Sequence, residues 1–117
     1  MNYRKFLIAA LLVMSFAVQA KDITVTRLTC EMRDGRVTTS DTPRLGWQMS
    51  SPENGTRQTA YEIEVRDVWA GKVVWNSGKV KSAQSQLVSC ADAVLEKDRH
   101  YTWRVRVWDE ADTPSAW

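Results

Sequence analysis

A pair of carboxylates, spaced so that one could act as an acid and the other as a base, is the most obvious candidate for chemistry in this chain. Glu62 and Glu64 alternate with apolar residues, so on a β-strand they share one face at about 7 Å. Inverting glycosidases hold an acid and a base about 6.5–9.5 Å apart. However, the predicted face is open and lined with arginines, and nothing there would raise the pKa of an acid. We therefore predict a solvated sheet face and no catalytic residues in this chain.

The remaining reactive residue types are few and scattered. His100 is the only histidine, and metal binding or nucleophilic catalysis would require partners and a pocket around it. The sequence has no glycine-rich phosphate loop and no CxxC pair. We therefore predict no metal site and no cofactor, and interpret His100 as a solvated loop residue.

The first twenty residues have the pattern of a secretory signal peptide. Arg4 and Lys5 precede a short apolar run that ends at Ala20, and this order is typical of an export signal. The run is short for a membrane span, which needs about 20 residues, although a retained anchor is the alternative. We predict a signal peptide over residues 1–20, one domain over residues 21–117, and a bacterial protein exported to the periplasm or the extracellular space.

The charge balance argues against nucleic acid as a partner. The whole chain carries 16 basic and 14 acidic side chains, and two of the basic ones belong to the predicted signal. The remaining domain is neutral and has no basic cluster, so it offers no electrostatic attraction to nucleic acid or to an anionic membrane surface.

The two cysteines lie in a chain whose predicted export would permit a disulfide. Cys30 falls in the first predicted strand and Cys90 near the end of the fifth. If these strands flank a common neighbour, the two residues are about 10 Å apart, whereas a disulfide needs Cα atoms within about 7 Å. We predict two buried free thiols.

Alternating apolar and polar residues predict an all-β domain. The clearest segment is 101–108, in which Tyr101, Trp103, Val105 and Val107 share one face, the pattern of a half-buried antiparallel strand. Six short strands are predicted, at residues 23–32 with a bulge near 26–27, 44–50, 59–67, 72–77, 83–90 and 99–109. Turn signals separate them, which favours an antiparallel two-sheet sandwich.

The side chains predicted to face inward form the core of this sandwich, and the charged side chains predicted to face outward indicate one strand pairing. The predicted core residues are Trp47, Tyr61, Ile63, Val65, Tyr101, Trp103, Val105 and Val107. On the opposite faces, Glu62 and Glu64 alternate in step with Arg104 and Arg106. Placing these two strands side by side would bring opposite charges together.

Two resemblances emerge from these segments. Leu95 stands six positions before Tyr101, which resembles the tyrosine corner of fibronectin type III and immunoglobulin-like sandwiches. A closer resemblance is to the N-terminal β-sandwich of bacterial α-L-rhamnosidases. It rests on five segments in the same order: LTCE at 28–31, PRLGWQ at 43–48, QTAYEI at 58–63, WNSGKV at 75–80 and YTWRVRVWD at 101–109.

The rhamnosidase resemblance implies an accessory role in an exported glycoside hydrolase. The family removes terminal L-rhamnose from glycosides by inverting hydrolysis without a cofactor, and its carboxylates belong to a helical barrel domain downstream. The resemblance implies that this chain is a noncatalytic N-terminal fragment, that its last strand is missing, and that its partners are the parent enzyme's downstream domains and, through them, rhamnosyl glycosides.

An independent extracellular binding module is the alternative. The chain has six tryptophans, and exposed aromatic rings could contact a carbohydrate or a protein. Parity assigns Trp47 and Trp103 to the core. The roles of four others stay open, although Trp108 falls on the outer face and Trp117 would be covered by whatever follows it: Trp69, Trp75, Trp108 and Trp117. Packing of these rings against loops or a further domain is the simpler interpretation.

Overall fold

In the part of the chain that the structure describes, six antiparallel strands form two three-stranded sheets. The computed structural model describes residues 23–33, 42–52 and 55–117. One sheet has the order β1-β2-β5 and the other the order β4-β3-β6, which confirms the all-β, immunoglobulin-like class predicted from the sequence. The strands are β1 (Thr24–Cys30), β2 (Arg44–Ser50), β3 (Ala60–Asp67), β4 (Lys72–Asn76), β5 (Val88–Ser89) and β6 (Tyr101–Trp108).

The described part of the chain contains no helix, and accordingly none that is long and apolar enough to cross a membrane. The predicted signal peptide, residues 1–20, lies outside the described residues. Its assignment and the domain boundary at residue 21 stay predictions.

Strand β1 contains the predicted bulge. Its pairing with β2 runs in register from Thr24 to Thr26, then shifts before Thr29. Arg27 lies inside the shift with a φ of 44°, a left-handed value that an inserted bulge residue can adopt. The shift moves the apolar residues from odd to even positions, which explains the change of parity in the sequence.

The fifth strand is much shorter than the segment 83–90 predicted for it. Only Val88 and Ser89 form ladder pairs with β2. The preceding residues follow β2 irregularly: the Trp47 N–H donates to the carbonyl of Ser85, and Leu87 has a φ of 52°. The backbone of this segment is therefore hydrogen-bonded without the regular geometry of a strand.

The core lies between the two sheets and is centred on Trp47. Its ring meets Tyr61 edge-on at 5.4 Å between centroids and Trp103 at 6.4 Å. The indole N–H of Trp47 donates to Oε1 of buried Gln58 at 3.0 Å. Gln58 in turn donates to the carbonyls of Ser82 and Gln84. One buried amide therefore joins the core to the irregular segment before β5, residues 82–87.

The structure places the eight predicted core residues at two levels of burial. Six are buried, with at most 8% of their surface exposed: Trp47, Tyr61, Ile63, Val65, Val105 and Val107. Tyr101 and Trp103 are half-buried and pack against that cluster. They lie towards the start of β6, which is at the edge of its sheet and leaves one side of these rings less covered.

Tyr101 makes the contact expected of a tyrosine corner. Its hydroxyl accepts a hydrogen bond from the backbone N–H of Glu96 at 2.9 Å. The phenol reaches the loop that precedes β6 and ties it to the strand, which is why its side chain ends near the surface.

Candidate functional site

The outer face of the β4-β3-β6 sheet carries the carboxylates singled out from the sequence. Strands β3 and β6 pair so that Glu62 lies opposite Arg106 and Glu64 opposite Arg104, which confirms the predicted pairing. Each of these cross-strand pairs on the sheet surface contributes roughly 0.2–1 kcal/mol.

Both carboxylates are fully engaged by neighbouring side chains. Arg104 donates to both oxygens of Glu64, at 2.9 and 3.1 Å. Arg106 donates to one oxygen of Glu62 at 2.8 Å, and Asn76 donates to the other at 3.0 Å. With all four oxygens accepting hydrogen bonds within the sheet, neither group is available to protonate a leaving group or to activate a water molecule.

The same arginines belong to a stack of cations and indole rings. Arg104 lies 4.2 Å from the ring centroid of Trp117, and Arg106 lies 4.7 Å from Trp117 and 5.0 Å from Trp108. Lys79 lies 4.8 Å from the Trp108 ring centroid. We call this set the arginine–tryptophan stack; contacts of this kind contribute roughly 0.5–1 kcal/mol each at exposed sites.

The stack covers Trp108, whose role the sequence left open. Its parity does place it on the outer face, but only 8% of its surface is exposed, because Lys79 and Arg106 cover the ring. Residues 109–117 also turn back along β6: Trp108 bridges to Pro114, and the Ser115 N–H donates to the Val107 carbonyl at 2.7 Å. The outer face therefore holds this segment against the sheet.

A shallow depression lies beside the ion pairs. It has a volume of about 190 Å³ and is lined by Glu64, Arg66, Thr102, Trp103 and Arg104. Pockets that bind small molecules usually enclose about 300–1,000 Å³ and are mostly apolar. This depression is smaller and charged, so it does not resemble a catalytic cleft.

At one end of the sandwich, a buried carboxylate anchors an exposed turn. Asp67 is 5% exposed; its Oδ1 accepts from the Ala70 N–H at 3.0 Å, and its Oδ2 accepts from two nitrogens of Arg99. The backbone hydrogen bond and the guanidinium both lower the pKa of Asp67. Arg99 also lies 5.3 Å from the ring centroid of Trp69.

The single histidine lies on the surface, as predicted. His100 is exposed immediately before β6, and its backbone carbonyl accepts from the Val68 N–H. Among residues 23–33, 42–52 and 55–117, no group of three or more histidine, cysteine or acidic side chains could hold a metal ion.

The two cysteines are free thiols, and β2 lies between β1, which ends at Cys30, and β5, which ends one residue before Cys90. Cys90 is buried and donates to the Pro43 carbonyl at 3.1 Å. Cys30 is only half-buried, which differs from the prediction because it ends β1, an edge strand. Burial, and secondarily the charge of Cys30, raises the pKa of the Cys90 thiol to about 11.

We expect the two thiols to differ in reactivity with iodoacetamide. At about pH 8 a thiol of pKa about 11 is only about 0.1% thiolate, and the Cys90 sulfur is also inaccessible. Peptide mass spectrometry of the native protein should show Cys30 alkylated at least about ten times faster than Cys90. Both should react at similar rates in about 6 M guanidinium chloride, which unfolds the chain. Equal rates in the native protein, or a disulfide-linked peptide pair, would contradict the described packing.

Comparison with known protein families identifies the family of this domain. Residues 25–117 match the family described as the Rha78A-like, N-terminal immunoglobulin domain. The chain belongs to this family. The match includes nearly all of β1, the other five strands, the arginine–tryptophan stack and the Asp67 anchor.

Known relatives contain this domain as a small part of a longer chain. An α-L-rhamnosidase of Streptomyces avermitilis is 45% identical over 78 residues, which are 64% of this chain but 8% of the relative. The crystal structure of the Streptomyces avermitilis α-L-rhamnosidase complexed with L-rhamnose superposes with a TM-score of 0.75 and 38% identity, over 81% of this chain and 10% of that one. The α-L-rhamnosidase structure from Dictyoglumus thermophilum gives a TM-score of 0.67 and 26% identity, over 85% and 12%.

Two structural features of the domain have little local signal in the sequence. Gln58 lies just before the alternating strand pattern, and its role depends on Ser82 and Gln84, which are far away along the chain. The Asp67–Arg99 pair joins residues 32 positions apart. A charged residue at the inward-facing end of β3 was the one available hint, because a buried carboxylate requires a partner.

Proposed function

We propose that this chain is the noncatalytic N-terminal accessory domain of an exported α-L-rhamnosidase. The observation that carries the proposal is the family match over residues 25–117, in a chain that spans about a tenth or less of the Streptomyces avermitilis rhamnosidase. In this proposal the downstream domains of the parent enzyme are the partners, and they hydrolyse terminal L-rhamnose from glycosides.

The chemistry of the domain favours an accessory role. Glycoside hydrolysis needs two carboxylic groups on either side of the scissile bond. Glu62 and Glu64 are instead held by Arg104, Arg106 and Asn76. An outer face whose carboxylates are already hydrogen-bonded to neighbouring side chains is suited to packing and positioning rather than to proton transfer.

The experiment exchanges domains between relatives. The N-terminal domain of the Streptomyces avermitilis enzyme would be deleted, or replaced by residues 25–117 of this chain, and each protein assayed on 4-nitrophenyl α-L-rhamnopyranoside. We expect the deletion to lower the yield of soluble protein and its melting temperature, and the replacement to restore both together with activity. The matched control is the replacement carrying Trp47→Ala, which should behave like the deletion.

Two outcomes would overturn the proposal. One is a replacement no better than the deletion. The other is rhamnoside hydrolysis by the 117-residue chain alone, because that would place the reaction centre in this domain.

Export is the second part of the proposal, and it rests on the pattern of residues 1–20. Expression in a bacterium should give a secreted or periplasmic form whose first residue is Lys21. Retention of the uncleaved chain in the cytoplasm would contradict it.

A further inference from the structure

One of the six tryptophans exposes its ring to solvent and belongs neither to the core nor to the arginine–tryptophan stack. Trp47 is in the core, Trp75 and Trp103 pack against it, and Trp108 and Trp117 belong to the arginine–tryptophan stack. Trp69 is 64% exposed at the tip of the β3–β4 turn. Exposing an indole to this extent has no benefit for folding, since burial of an aromatic ring is what stabilises a domain.

The turn that carries Trp69 is held rigidly. The Gly71 N–H donates to the Asp67 carbonyl at 2.9 Å, and the Val68 N–H donates to the carbonyl of His100 at 2.9 Å. Gly71 has a φ of 65°, which a glycine adopts without strain. With the Asp67 carboxylate bonded to the Ala70 N–H as well, the backbone that carries the ring is held in place before any ligand arrives.

Arg99 lies over part of this ring as an oriented donor. Its Nε and Nη2 donate to the buried carboxylate of Asp67, which leaves the Nη1 hydrogens without an acceptor among the described residues. The Arg99 side chain is 31% exposed, and its guanidinium carbon lies 5.3 Å from the ring centroid. Because two of its nitrogens are anchored, little side-chain entropy is lost when the third donates to a ligand.

A flat exposed indole beside a fixed hydrogen-bond donor fits a pyranose ring. The C–H groups of one sugar face pack on the aromatic surface, and a ring hydroxyl accepts from the guanidinium. We propose that Trp69 and Arg99 form a binding subsite for a pyranose of a glycoside, outside any catalytic centre of the parent enzyme. The ring supplies the contact area, and Arg99 sets the orientation of the sugar.

The class of sugar depends on the function proposed above. For an accessory domain of a rhamnosidase, the ligand is a 6-deoxyhexopyranoside, whose methyl group enlarges the apolar surface that an indole can cover. The geometry of the subsite does not depend on that function, so the two proposals fail separately.

The test follows the indole N–H signals of the 117-residue chain by ¹H–¹⁵N NMR during titration with methyl α-L-rhamnopyranoside. We expect the Trp69 signal to shift and saturate with a Kd of about 1–10 mM, which is weak binding. Trp69→Ala should weaken binding at least about tenfold, measured by saturation transfer to the sugar. Arg99→Lys should weaken it severalfold while keeping the charge.

Two controls assign the binding to this subsite and to this class of sugar. Val74→Ala removes an exposed apolar side chain from β4 and should leave the Kd unchanged. Methyl α-D-glucopyranoside should bind more weakly than the rhamnoside, and equal affinity would overturn the assignment to deoxyhexoses.

Two results would overturn the subsite itself. One is a Trp69 signal that stays still up to about 50 mM rhamnoside, far above the expected Kd range. The other is a shift that follows protein concentration instead of sugar concentration, which would mark a contact between protein molecules. Neither result would change the outcome of the domain exchange.

Discussion

Replacing Trp47 by alanine is expected to remove most of the stability of this domain. The side chain is 1% exposed, contacts Tyr61 and Trp103, and lies at the centre of the core between the sheets. Truncation of a buried aromatic costs about 3–5 kcal/mol, and domains of this size have about 5–15 kcal/mol in total. Urea unfolding followed by far-ultraviolet circular dichroism should show a correspondingly lower midpoint, or an unfolded protein.

A matched Trp→Ala change provides the control for this result. Trp69→Ala removes the same atoms from an exposed site and should change the free energy of unfolding by less than about 0.5 kcal/mol. Trp47→Phe should be intermediate, since it keeps most of the packing but leaves Oε1 of Gln58 without its donor, a loss of about 1–3 kcal/mol. Equal stability of the two Trp→Ala variants would contradict the core described here.

Gly46→Val is the second change with a large expected effect. Gly46 lies in β2, and a Cβ atom there would be 2.9 Å from Oγ1 of Thr29, 3.0 Å from Oε1 of Gln86 and 3.3 Å from the carbonyl of Ser85. Valine adds two further methyl groups, so either β1 or the irregular segment before β5, residues 82–87, must move. We expect a loss of about 3 kcal/mol in the free energy of unfolding, at the upper end for overpacked sites, measured by the same urea titration.

The source of that loss can be tested by removing the obstructing side chains. Thr29→Ala and Gln86→Ala delete two of the three close atoms and leave the Ser85 carbonyl in place. In this double-variant background Gly46→Val should cost clearly less than in the native chain. An unchanged cost would show that the penalty comes from the Ser85 carbonyl or from β2 itself and not from these two side chains.

Much of the architecture could be predicted from the sequence because a β-strand records its faces locally. In 101–108 and 59–67 the apolar side chains alternate with polar ones, and the pleat turns that alternation directly into an inner and an outer face. The charges on the outer faces then identified the β3–β6 pairing, since Glu62 and Glu64 match Arg106 and Arg104 in register. Segment 83–90 was overestimated because its hydrogen-bond partners, Trp47 and Gln58, are remote residues.

The sequence by itself determined the fold class, five of the six strands closely, the bulge in β1 and the tyrosine corner. Only the tertiary structure decided which outward-facing residues are covered. Trp108 is buried because Lys79 and residues 109–117 come back over it, whereas Trp69 stays exposed beside Arg99, a residue from a different loop. Alternation is imposed by each strand on its own residues, but these contacts join separate turns, and they depend on the way the strands and loops pack together in space.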